Sequence, residues 1–194
     1  MMQTKNIMIV GVGGQGSLLA SKLLGRLLLT RGYDVKVSEV HGMSQRGGSV
    51  VTYVRYGDKV YSPIVDQGEA DYILSFEILE SARWISYLKE GGRLITNTQK
   101  TWPMPVITGA VPYPENIVEK LSAMADVTAV DALKLAEEAG SSKAVNVVLI
   151  GVLSKLMDIP EAVWLQAIDE TVPQKFLELN KRAFALGRAC GAGE

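Results

Sequence analysis

A chain of 194 residues, 47% hydrophobic and 21% charged, is long enough to bury one sizeable core and too apolar to be disordered. Its formal net charge of −1 gives no electrostatic case for nucleic acid or an anionic membrane surface. One cysteine, Cys190, and one histidine, His41, exclude an internal disulfide, a zinc site of clustered cysteines and an iron–sulfur ligand set, so no metal site is expected.

In chain order, NIMIV at 6–10 is a short apolar run before glycine and predicts a buried strand. The next segment places Leu19, Leu23 and Leu27 beside a parallel row of Ala20, Leu24 and Leu28, a wide helical stripe closed by Gly32. DVKVSEV at 34–40 alternates as a second strand, completing a strand–helix–strand unit. GSVVTYVRYGDKVYSP then predicts a β-hairpin turning at Gly57-Asp58. Too few residues precede it for a helical crossover.

ADYILSF at 70–76 reads as a strand, EILESARWISYLKEGG as a helix stopped by Gly91 and Gly92, and RLITN at 93–97 as a further strand. TWPMPVITGAVPYP carries four prolines, and Pro114 suits the first turn of a helix through ENIVEKLSAMA. DVTAVDA is a short strand, and the remainder is helical over 143–157, 161–170 and 174–188, with a serine of EEAGSSK as a cap. The longest apolar runs, such as VVLIGVL at 147–153, fall well short of the roughly 18 residues that span a bilayer. The N-terminal MMQTKN has no signal-peptide layout, which sets the expectation of a cytoplasmic protein. The expected fold is α/β: a Rossmann-like three-layer sandwich, mostly parallel, with an inserted β-hairpin and a helical C-terminal section, one domain over 1–194.

Two glycine-rich loops carry the functional question. In GVGGQG, Gly11, Gly13 and Gly16 satisfy G-x-G-x-x-G between a strand and a helix, with Gly14 and Gln15 inside the turn. Such glycines allow a tight turn, close approach of a ligand to backbone, and an anion at the helix N-terminus. Glu39, at the end of the second strand, stands where a ribose-binding acid would sit, so a free-standing NAD(P)- or FAD-binding oxidoreductase is one reading. The other is that the glycines only tighten the turn, and Gln15 places a bulky amide at its mouth. The second loop, HGMSQRGG, supplies His41, Gly42, Ser44, Gln45, Arg46, Gly47 and Gly48: an imidazole, a hydroxyl, an amide and a guanidinium on permissive backbone. Arg46 suits a carboxylate or phosphate as a two-pronged donor. His41 receives no catalytic role.

GVGGQG after an N-terminal strand, followed by SEVHGMSQRGGSVVTYVRYG, resembles the gamma-type subunit or domain of 2-oxoacid:ferredoxin oxidoreductases. Within that family it looks most like the beta subunit of the indolepyruvate enzymes. SPIVDQGEADYILSFEILESAR, AVNVVLIGVL and NKRAFALG carry the resemblance along nearly the whole chain.

The resemblance implies a small non-redox subunit that acts with a large alpha subunit. That partner holds the thiamine diphosphate and [4Fe-4S] clusters, and ferredoxin is reached through it. The enzyme converts an arylpyruvate and coenzyme A to the acyl-CoA, carbon dioxide and reduced ferredoxin. On this reading the two loops form one polar surface that packs on the alpha subunit or helps bind coenzyme A. Arg46 then takes an anionic group, and Gln15 and Ser44 supply hydrogen bonds. A stand-alone nucleotide- or CoA-binding module is a third possibility.

Among the remaining residues, Asn146 is read first as a cap or a solvent contact, with a place facing the loop site as the alternative. Trp84, Trp102 and Trp164 are read as core or interface aromatics. A mean hydropathy of +0.14 and the Leu-rich face of 18–29 point to an obligate partner.

Overall fold

The computed structural model describes residues 3–41 and 48–190. Six strands form one sheet: β1 (Lys5–Val12), β2 (Asp34–His41), β3 (Ser49–Gly57), β4 (Ala70–Ser75), β5 (Leu88–Asn97) and β6 (Asp126–Val130). Their order is β2-β3-β1-β4-β5-β6. From β1 to β6 the pairing is parallel, whereas β3 runs antiparallel to both β1 and β2.

Strand β1 lies at the centre, and Ile7, Met8, Ile9 and Val10 are all fully buried. Alternation sends Ile7 and Ile9 to one face and Met8 and Val10 to the other. An apolar run without polar breaks is what a strand covered on both sides requires. On the first face lie α1 (Ser17–Thr30), α5 (Ala132–Ala139), α6 (Val145–Leu156), α7 (Glu161–Thr171) and α8 (Leu177–Cys190). On the second lie α2 (Ile78–Trp84) and α4 (Ile117–Ser122). The stripe of Ala20, Leu23, Leu24, Leu27 and Leu28 faces the core, while Leu18 and Leu29 remain exposed. The Leu-rich face of α1 is therefore core rather than interface. Gly32 takes a left-handed φ of 82° just past the helix, as its expected capping position demands. Among the described residues no helix is long and apolar enough to cross a membrane.

Three local expectations are corrected. The hairpin does not turn at Gly57-Asp58, because β3 is already flanked by β1 and β2 and offers no free edge to a returning strand. The antiparallel pair is instead β2 with β3. Residues 58–69 run irregularly, held by Val60 N donating to Asp34 Oδ2 at 2.8 Å and Arg55 Nη1 donating to Ile64 O at 2.6 Å. The helix after β4 stops at Trp84, and Gly91 and Gly92 belong to β5. They serve a register shift there: a Cβ on Gly92 would lie 2.8 Å from Ala70 O. Pro114 precedes α4 rather than entering it, since Asn116 intervenes with φ 54°.

Helices α6 and α8 meet backbone to backbone. A Cβ on Gly151 would lie 2.2 Å from Phe184 O, and one on Gly187 would lie 1.9 Å from Val148 O. Arg188 locks the crossing by donating to Ser154 O at 3.2 Å and Ser154 Oγ at 2.8 Å. At the N-terminal edge of the parallel strands, the buried Asp71 takes Lys5 Nζ at 2.9 Å, Asn6 N at 2.8 Å, and a short contact from Lys89. Burial alone would raise its pKa; the hydrogen bonds from Lys89, Lys5 and the Asn6 amide outweigh that and hold it below the usual carboxylate range.

Gly187→Ala is expected to cost about 3 kcal/mol, because neither backbone can yield without parting the helices. The thermal midpoint should fall by roughly 6–12 °C; an unchanged melting curve would refute the backbone contact. Asp71 contributes stability in full above the ordinary carboxylate pKa near 4 and loses it as pH falls through its lower folded value. Asp71→Ala should therefore cost about 1–3 kcal/mol near neutral pH, with urea melts of variant and wild type converging below about pH 4.

Candidate functional site

The C-terminal edge of the parallel strands is where the chain divides. From β1 it passes through α1 toward β2, and from β4 through α2 toward β5, so β1 and β4 flank the topological switch point. Open α/β sheets bind ligands in the crevice at such a point. Here the crevice holds the chain's own amide. Gln15 folds back so that Oε1 accepts from Val12 N at 2.8 Å and Nε2 donates to Phe76 O at 3.3 Å. Gly11 makes room for it: a Cβ there would lie 2.6 Å from Gln15 Oε1 and 3.1 Å from Phe76 Cβ. Asn97, on β5, donates to Phe76 O at 3.2 Å and accepts from Ala132 N at 3.1 Å, extending the amide row along the edge.

The other glycines of the loop have equally specific neighbours. Gly16 caps α1 with φ 86°, and its carbonyl accepts from Asn146 Nδ2 at 3.2 Å. A Cβ on Gly16 would lie 2.5 Å from that nitrogen. Asn146 is buried against the loop, which favours the alternative that it faces the loop site over a solvent contact. Gly14, with φ 96°, is exposed and meets nothing within 4 Å. Glu39 was the candidate ribose-binding acid, but β3 separates its strand from β1, and its Oε1 accepts from Ser17 Oγ at 3.1 Å, tying β2 to the start of α1. The donor set at the crevice does not fit a dinucleotide: Gln15 spans the gap and Glu39 is engaged by the helix.

The two loops are joined. Gly13 N donates to Gly48 O at 3.0 Å, and Val12 is in register with Ser49. His41 pairs with Val50 through the backbone at the end of β2, which brings the entrance and exit of the second loop beside the first. Gly42, Ser44, Gln45, Arg46 and Gly47, together with the side chain of His41, lie outside the described residues.

Beside this junction opens a cleft of about 420 Å³ lined by Val12, Ser49, Glu77, Glu80, Arg83 and Trp102, among others. Its carboxylates were not anticipated. Glu77, fully buried, caps α2 by accepting from Glu80 N at 2.9 Å, and its other oxygen accepts from Thr101 N at 2.9 Å and Tyr113 Oη at 3.0 Å. Burial, then the Glu77 charge, pushes the Tyr113 hydroxyl well above its usual pKa. Glu80 is also buried; it accepts a short hydrogen bond from Ser49 Oγ and pairs with Arg83 Nε at 3.1 Å. The signal was present as two acids three residues apart directly after an apolar strand, the spacing of a helix start. Cys190, the single thiol, is exposed at the end of α8, far too few donors for an iron–sulfur cluster.

Residues 6–190 match the family described as pyruvate ferredoxin/flavodoxin oxidoreductase. The chain is 48% identical over 193 residues to the indolepyruvate oxidoreductase subunit IorB of Thermococcus kodakarensis, covering 96% of this chain and 95% of that one. It is 28% identical over 176 residues to the common gamma subunit of the pyruvate/ketoisovalerate oxidoreductases of Thermococcus litoralis, covering 89% and 87%. Among solved structures, the pyruvate oxidoreductase subunit PORC of Thermotoga maritima shares the fold with TM-score 0.76 over 96% of both chains, at 23% identity. The 2-oxoglutarate:ferredoxin oxidoreductase of Magnetococcus marinus shares it with TM-score 0.73 at 18% identity, over 97% of this chain and 31% of its own. A family match over 6–190, with 48% identity to a relative across 96% of the chain, places the chain in the pyruvate ferredoxin/flavodoxin oxidoreductase family.

Proposed function

We propose that the chain is the small, non-redox subunit of an indolepyruvate-type 2-oxoacid:ferredoxin oxidoreductase, working in the cytoplasm as one gamma-type domain. The observation that carries this is the 48% identity, end to end, with a protein named as a subunit of an indolepyruvate oxidoreductase. The chain's donor set agrees: one thiol leaves iron–sulfur chemistry to another subunit. In the assembled enzyme the arylpyruvate loses carbon dioxide, its acyl group passes to coenzyme A, and the electron pair goes to ferredoxin through the alpha subunit. Thiamine diphosphate supplies the carbanion chemistry there.

This chain contributes shape and charge. Gln15 fixes the first loop, the Gly13–Gly48 hydrogen bond brings the second loop alongside it, and Arg46 offers a guanidinium for an anionic group of coenzyme A or of the partner. Ser44, Gln45 and His41 of the same loop add further polar donors. A loop held on a rigid sheet edge positions such groups with little further ordering.

Co-expression with the large subunit, followed by arylpyruvate- and CoA-dependent dye reduction, tests the reading; activity from the small chain alone would overturn it. In that complex, Arg46→Ala should raise the KM for coenzyme A or weaken assembly by about tenfold or more, the worth of one charge-assisted hydrogen bond. Unchanged kinetics together with unchanged assembly would remove Arg46 from the site. Calorimetric titration of the isolated chain with NAD should give no heat of binding, whereas tight uptake would favour a free-standing dinucleotide enzyme.

A further inference from the structure

Between Lys100 and Glu115 the chain runs TWPMPVITGAVPYP, fourteen residues without one charged side chain in a protein that is 21% charged. None of the fourteen is buried. Trp102, Met104, Ile107 and Val111 are 59%, 66%, 60% and 50% exposed. Isolated exposed apolar residues are ordinary; four large ones on a continuous charge-free segment are not.

The segment is also pre-organised. Its two ends are fastened to one buried carboxylate, since Glu77 Oε1 accepts from both Thr101 N at 2.9 Å and Tyr113 Oη at 3.0 Å. Between them the short helix α3 (Met104–Ile107) is closed by Val106 N to Pro103 O at 2.9 Å and Thr108 N to Met104 O at 2.9 Å. Prolines 103, 105, 112 and 114 fix φ along the strap. Such a strap has little freedom left to lose on binding.

We infer that this strap is a docking surface for the large catalytic subunit, with Trp102 as its anchor. The inference rests on the proposed function and adds a contact face distinct from the two glycine loops. Depletion of charge with enrichment of Trp and Met marks the buried centre of protein interfaces, and Trp dominates their energetic hot spots. The position fits as well. Trp102, Met104 and Ile107 line the same cleft as Val12 and Ser49, the residues where the two loops meet. A subunit covering the loops would therefore reach the strap without a break. In the Magnetococcus enzyme the same fold is 31% of a longer chain, so there it is tethered to further protein rather than free.

The test uses the co-expressed complex and the Trp102→Ser/Met104→Ser variant, with Ile107→Ser/Val111→Ser as an independent second pair. Affinity for the large subunit is read by biolayer interferometry, and the mass of each isolated chain by light scattering. Either variant should bind at least about tenfold more weakly, the effect of truncating an interface anchor, while melting as wild type does. Dye reduction should return at high variant concentration. Met124→Ser is the control: Met124 is 71% exposed, but at the opposite edge of the sheet beside Gly91, Gly92 and Asp126, and it should leave affinity unchanged. Wild-type affinity in both variant pairs would overturn the inference while leaving the proposed function standing. A wild-type chain that dimerises alone, and is made monomeric by the variants, would also overturn it by giving the face to a second copy. Failure of the wild-type chain to bind the large subunit at all would sink the proposed function and the inference together.

Discussion

The side chain of Gln15 decides what the switch point of this sheet can do. An amide that accepts from Val12 N and donates to Phe76 O bridges β1 and β4 where a dinucleotide's pyrophosphate would otherwise approach. Gly11 is needed because a Cβ would collide with that amide, so the first glycine of the fingerprint serves a side chain of the protein rather than a ligand. The motif G-x-G-x-x-G is thus satisfied while the crevice it usually opens is filled. With that crevice filled, the described contact of the first loop is with the exit of the second, where Gly13 N donates to Gly48 O.

Packing far away in sequence holds this arrangement in place. Asn146 stands in the first turn of α6, and its contact with Gly16 requires that α6 lie at a fixed distance from the loop. That distance is set by the backbone contact of α6 with α8 through Gly151 and Gly187. The AVNVVLIGVL and NKRAFALG stretches near the C-terminus therefore bear on the N-terminal loop: they contain the two glycines and the asparagine that hold it. The N-terminal loop and two C-terminal helices, 130 residues away at the Gly16–Asn146 contact, act as one unit.

What could be read from the sequence follows from how local its cause is. The α1 stripe, β1 and the C-terminal helices were legible because period and capping lie within each segment. The turn at Gly57-Asp58 has good hairpin chemistry, yet it lost to the pairing of β3 with β1, a partner some fifty residues earlier. Gly91 and Gly92 look like a helix stop and prove to be a strand irregularity, since only the neighbouring strand β4 reveals the shift. The choice between solvent and loop for Asn146 was open for the same reason: nothing within α6 shows that Gly16 lies against it. Glu77 and Glu80 carried a readable capping pattern, but their joint hold on Ser49, Thr101 and Tyr113 needed the tertiary structure.

The two ends of the sheet differ in a way that bears on assembly. At the N-terminal edge, Asp71 gathers Lys5 and Lys89, whose amines stay partly in water, a pattern suited to a solvated surface. At the C-terminal edge the polar groups are amides and buried carboxylates that find their partners within the chain, and the adjoining strap has no charge at all. Water solvates the first edge well and the second poorly. The edge that water solvates poorly also holds the junction of two glycine-rich loops, whose ordering is entropically costly for an isolated chain. Both penalties fall when another protein surface covers the region, because apolar area leaves water and the loops gain partners in the same event.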